Sequence, residues 1–162
     1  MNFDADTLCA LRDVSAKSPM LTLNNGVAMP VLGLGVLDRS AREQTARAVQ
    51  CAIANGYRLI DTAAAYGNER QVGEGLRGSG VDRSEMFITT KLWMTDYGCE
   101  PAFRAFDLSR RKLGLDYVDL YLLHWPMPSD FEAKWRHIGQ RKNSSPTGRF
   151  ARSACPISAR RI

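Results

Sequence analysis

Residues Gly56 to Gly73 read GYRLIDTAAAYGNERQVG, and this stretch decides how the rest of the chain folds. Tyr57 to Ile60 is a strand closing on Asp61, three alanines lift Tyr66, and Asn68-Glu-Arg-Gln71 has the pattern of a helix-starting capping box. A carboxylate at a strand end and a phenol five residues later is the arrangement of a site rim. The same letters fit an ordinary strand–turn–helix with a capping Asp and a surface Tyr. What recurs along the chain decides between the two.

Upstream, LTLNNGVAMPVLGLGV from Leu21 gives a short strand, an Asn-Asn-Gly turn and a return, the pattern of a β-hairpin. Val31 to Val36 follows as an apolar strand. Ser40-Ala-Arg-Glu43 is another capping box, and Ala46, Val49 and Ile53 recur at helical spacing until Asn55-Gly56 stops the helix. Downstream, Val72 and Leu76 mark a helix ending at Gly78-Ser-Gly80, and Met86 to Lys91 is the third strand. A helix from about Pro101 carries Ala102, Ala105, Phe106, Ser109 and Leu113 to Gly114, and Tyr117 to His124 is the fourth strand. Strands alternating with helices predict an α/β protein with a parallel sheet and helical crossovers.

Composition narrows the class. The chain has 162 residues, 44% of them apolar, enough for a core. It has no apolar run long enough to span a bilayer, and the acidic N-terminus is unlike a secretory signal. Cys9, Cys51, Cys99 and Cys155 are scattered without metal spacing, as in the reduced thiols of a cytoplasmic protein; no metal is expected. The net charge of +5 lies in the tail: residues 134–162 hold eight Lys or Arg and no acid, leaving 14 basic against 17 acidic side chains before them. A nucleic-acid partner is therefore not expected of the body. Residues 1–19 have no sustained period, so Met20 is expected as the natural start, after an N-terminal extension.

Asp61, Lys91 and His124 each close a strand, 30 and 33 residues apart, about one strand–helix unit each. In parallel α/β folds those strand ends share the face where ligands bind. A phenol, with an ordinary pKa of about 10, donates a proton at neutral pH only where a cation stabilises the phenolate. Lys91 can supply that cation, Asp61 can hold Lys91, and His124 can hydrogen-bond a substrate oxygen or relay the proton. A phenolic acid beside a polarised oxygen fits carbonyl reduction with a nicotinamide hydride donor. Singly, each has an ordinary alternative: a helix cap for Asp61, a solvated charge for Lys91, a structural histidine for His124, and packing for Trp93 and Trp125. A dinucleotide fingerprint at Gly33-Leu-Gly35 fails, because the third glycine position is Asp38.

GYRLIDTAAAYGNERQVG resembles the signature segment of the aldo-keto reductases, of the 2,5-diketo-gluconate reductase-like branch. TTKLW and DLYLLHWP are similar to the family's third- and fourth-strand blocks, and LTLNNGVAMPVLGLGV to its hairpin and first strand. The resemblance implies the N-terminal half of a (β/α)8 TIM barrel preceded by a β-hairpin, using NADPH to reduce small aldehydes and ketones. It implies a catalytic tetrad of Asp61, Tyr66, Lys91 and His124, with Tyr66 as proton donor and His124 orienting the carbonyl. Gly35, Val36 and Asp61 would contact the nicotinamide ribose, and Trp93, His124 and Trp125 the substrate. Leu37 stands where the family often has an aromatic residue, which loosens one pocket wall.

The departure is length. A full barrel needs about 250 residues, and residues 20–133 hold four strand–helix openings. Missing are the Ser-Asn after strand 5 that holds the carboxamide and the basic segment near strand 8 that grips the NADPH phosphate. After Ala133 the sequence loses both periods, and residues 134–162 read as a disordered basic tail. Regrouping codons for Gln140 to Arg161 by one base permits AEKLLADG and, one residue later, VRAIGVSNFSPA, which resembles the missing fourth-helix end and fifth strand. The expectation is a frameshifted reductase product, inactive alone. Two other functions remain open: a non-enzymatic regulatory relative on the same barrel, and a nucleic-acid binder using the basic tail.

Overall fold

The computed structural model describes residues 18–37 and 42–125. Residues 1–17, 38–41 and 126–162 lie outside the described residues, among them Asp38, the Ser40 start of the capping box and the whole tail. The chain begins with an antiparallel hairpin of β1 (Met20–Thr22) and β2 (Ala28–Pro30), with Met20 opposite Pro30 and Thr22 opposite Ala28. Gly26 takes a positive φ of 82° in its turn, a conformation that costs a residue without a Cβ nothing.

A parallel sheet of four strands follows, in the order β3 (Leu34–Gly35), β4 (Leu59–Asp61), β5 (Phe87–Leu92) and β6 (Leu120–Leu123). The crossovers are α1 (Arg42–Ala54), α2 (Glu69–Gly78) and α3 (Cys99–Leu113). The expected α/β alternation is present; β5 keeps its six residues, shifted by one, and the other strands are shorter. Val31 to Val36 reduces to two paired residues, and Tyr117 to His124 to four. Those strands pair only where a neighbour runs alongside.

Alternation along the strands sorts the two faces of the sheet. Leu34, Ile60 and Ile88 lie in register on the helix-facing side, where Ile60 and Ile88 are fully buried with Val49, Val72 and Leu113. In α1 the buried stripe is Thr45, Val49 and Ile53; Ala46 is only partly buried, so Thr45 takes the place expected of Ala46. In α3 it is Ala102, Phe106, Ser109 and Leu113, and Gly114 closes the helix with a left-handed turn in which Leu115 N–H reaches back to the Arg110 carbonyl. Two glycines let the helices approach closely. A Cβ at Gly75 would sit 2.7 Å from the Ala46 carbonyl oxygen of α1, and one at Gly73 would fall on the Leu113 carbonyl of α3.

One local expectation is corrected. Asn68 precedes α2, but its side chain makes no capping bond. It is buried, accepts from the Thr62 hydroxyl at 2.8 Å and donates to the Val36 carbonyl at 3.1 Å. A side chain with both donor and acceptor ties the β3 and β4 exits together, a stronger demand here than a helix cap. Glu69 is likewise buried and accepts from the Thr90 hydroxyl at 2.8 Å, with Lys112 at 3.8 Å from its other oxygen.

Candidate active site

The opposite face of the sheet carries the polar groups. Gly35 is in register with Asp61, Asp61 with Thr89, and Lys91 with Leu122. The three ionisable groups were expected at equivalent strand-end positions, and this is corrected. Asp61 ends β4, Lys91 is the last but one residue of β5, and His124 follows β6. From strand to strand each group lies two residues further along than its neighbour's register partner. A step of two preserves the side-chain face, and progressive stagger is what a closing barrel imposes. The groups therefore climb diagonally across one surface.

At the centre, Lys91 Nζ lies 2.5 Å from Asp61 Oδ2 and donates to the Thr62 carbonyl at 2.9 Å. The other Asp61 oxygen accepts from the Thr89 hydroxyl. The same ammonium sits 5.2 Å from the centre of the Tyr66 ring, within the reach of a cation–π contact. Tyr66 is placed by a single turn of 3₁₀ helix over Ala64–Tyr66, closed by Gly67 at a φ of 70°. The small side chains of that turn let the ring come down beside the sheet.

His124 lies among three aromatic rings. Tyr66 and Trp93 meet it edge-on with centroids at 5.4 and 5.1 Å, and Trp125 stacks parallel at 6.1 Å. Burial first, and then the Lys91 ammonium, push its pKa below the ordinary 6.5, while Asp61 pulls the other way. Its Nδ1 is buried without a hydrogen-bond partner among the described residues. The charged form of the imidazole is thus disfavoured. Trp125 is in turn held by Tyr97, whose hydroxyl donates to the Trp125 carbonyl and accepts from its N–H at 3.3 Å.

All four expected tetrad residues and both tryptophans come together. Of the two backbone positions expected beside a cofactor, Gly35 is open: a Cβ there would meet nothing within 4 Å. Val36 is buried, and its N–H and carbonyl are taken by Asp61 and Asn68 at 3.0 and 3.1 Å. The sequence did not single out Thr89 or Tyr97, and it read Asn68 as a helix cap. Strand alternation was enough to find Thr89, which lies two residues before Lys91 and so shares its face. Tyr97 gives no such signal, because it sits on a loop. Among the described residues no group of three His, Cys, Asp or Glu could hold a metal ion, and no helix is long and apolar enough to cross a membrane.

Fold and site together define part of a barrel-type α/β fold with a polar cluster at its strand ends. The chain belongs to the Aldo/keto reductase family, whose model matches residues 31–144, running past Ala133 into the basic stretch. It is 67% identical over 113 residues to the morphine 6-dehydrogenase of Pseudomonas putida, covering 70% of this chain and 38% of that protein. It is 53% identical over 118 residues to a 9,11-endoperoxide prostaglandin H2 reductase of Trypanosoma cruzi, covering 73% and 42%. Among solved structures it superposes on an aldo/keto reductase from Brucella melitensis with a TM-score of 0.73 at 46% identity, covering 85% of this chain and 51% of that one. It also superposes on a Bombyx mori aldo-keto reductase in complex with NADP, with a TM-score of 0.72 at 32% identity, covering 86% and 49%. The chain thus spans about two fifths of the curated relatives it matches and about half of the solved ones. Its four-stranded sheet is part of their TIM barrel.

Proposed function

We propose that Asp61, Tyr66, Lys91 and His124 form the proton-delivering centre of an NADPH-dependent reductase of aldehydes and ketones. The observation that carries this reading is the Lys91 ammonium, 2.5 Å from the Asp61 carboxylate and 5.2 Å from the Tyr66 ring. A phenol facing a fixed cation can release its proton and leave a stabilised phenolate. The neutral His124 imidazole, boxed by aromatic rings, is suited to donate its N–H to a carbonyl oxygen and align it. When bound, a reduced nicotinamide supplies the hydride for the carbonyl carbon.

The open space beside Gly35, next to Asp61, fits the nicotinamide ribose, and the Bombyx relative seen with NADP favours NADPH. Trp93 and Trp125 wall the substrate side. Leu37 is 64% exposed, leaving that side of the mouth low and open to a bulky carbonyl compound. Tyr66 then gives its proton to the carbonyl oxygen, Lys91 steadies the phenolate, and Asp61 holds Lys91.

The relatives carry about half or more of their length outside the part this chain matches, so this 162-residue chain is expected to lack turnover alone. The test is NADPH oxidation with a small aldehyde panel, run on this chain and on a version continued in the restored frame to the full length of a barrel. Turnover in the continued version alone is expected. No turnover in a folded continued version would sink the reductase reading, and turnover in the 162-residue chain would sink the need for the second half.

A further inference from the structure

Asp61 is a carboxylate with two differently occupied oxygens. Oδ2 carries the Lys91 ammonium, while Oδ1 accepts from the Thr89 hydroxyl. The terminal torsion of an aspartate is broad and roughly two-fold, so a single ion pair leaves the carboxylate plane free to swing. Two bonds from different directions fix it. Thr89 can provide the second because it lies directly opposite Asp61 in the parallel register, on the same face, and is itself buried at 3% exposure. Lys91, two residues further along the same strand, depends on that orientation. Its other acceptor is the Thr62 carbonyl, which is the next residue after Asp61.

We propose that Thr89 is a positioning residue: its hydroxyl fixes the Asp61 carboxylate plane and, through it, holds Lys91 beneath Tyr66. This rests on the reductase reading for its catalytic meaning, but the geometry it describes belongs to the chain alone. A threonine does this where valine cannot. The two share a shape that suits a strand, and only threonine carries the donor.

The experiment uses the 162-residue chain, labelled with nitrogen-15 at lysine Nζ, with the Lys91 ammonium signal assigned by Lys91→Met. An ammonium held by a carboxylate and a carbonyl exchanges its protons slowly. Thr89→Val is expected to speed that exchange about tenfold, the factor that accompanies loss of one hydrogen bond to a charged group. Thr89→Ser should restore the slow rate, and Thr89→Val should add nothing in an Asp61→Asn background. Should Thr89→Val fail to fold, Thr89→Cys, with its weak donor, takes its place with the same expectation. Wild-type exchange in the Val or Cys variant, or full additivity with Asp61→Asn, would overturn the proposal. This readout needs no turnover, so its failure is separable from failure of the reductase reading, which NADPH oxidation reports.

Discussion

The two faces of β4 and β5 are made from neighbouring residues and obey different rules. On one face Ile60 and Ile88 are completely shielded and pack against α1, α2 and α3. On the other, one residue away in each strand, Asp61 and Thr89 are joined by a hydrogen bond beside the Lys91 ammonium. The first face stabilises by area and shape, which tolerate an exchange of one hydrocarbon for another of equal volume. The second works by direction, and tolerates almost nothing. Placing both on one strand makes the rigid core the jig that holds the polar groups.

That contrast can be broken from the core side first. Ile88→Ala removes a fully buried side chain at the centre of the sheet and should cost about 2–5 kcal/mol of stability by denaturant unfolding. A loss well below that range would mean the helix-facing core is not what secures the strands. Gly73→Ala should cost about 1–3 kcal/mol, because the added methyl group meets the backbone of Leu113, which cannot rotate away as a side chain would. If this variant is as stable as the parent, the close approach of α2 and α3 is wrong.

The polar face can be sharpened by titration, where the effect is smaller. Burial and the Lys91 ammonium both disfavour the charged imidazole of His124, against a weaker pull from Asp61. The folded state therefore takes up this proton less readily than the unfolded chain, in which histidine titrates near 6.5. His124 stabilises the fold above that pH, and its contribution is lost as the pH falls below it. Imidazole shifts followed by NMR, with His124→Gln to separate it from His137, should give a midpoint below 6.5 that rises in Lys91→Met. A midpoint at or above 6.5 in the parent would contradict the site's electrostatics.

Much of this was legible in the sequence because period and chemistry agree. Asp61, Lys91 and His124 recur at the spacing of one strand–helix unit, and that spacing fixes both the parallel sheet and the shared end of the site. The stagger was not legible. Register is set between strands, so Lys91 and His124 were expected level with Asp61, whereas Lys91 lies two residues further along and His124 four. Asn68 misled for a related reason: locally it looks like a cap, but a buried polar side chain follows its distant partners, here Thr62 and Val36. Tyr97 could not be foreseen at all. Its partner is the backbone of Trp125, and a backbone partner leaves no mark in the letters.

The central claim is that Tyr66 gives the proton to a carbonyl oxygen beside the Lys91 cation. The most direct measurement is steady-state NADPH oxidation by the frame-continued protein against its Tyr66→Phe variant, with folding checked by circular dichroism. Removing one hydroxyl should lower kcat by about 10²–10⁴-fold, the range for a positioned general acid, and leave the fold and the KM for NADPH unchanged. A Tyr66→Phe enzyme that turns over at the parental rate would contradict the account.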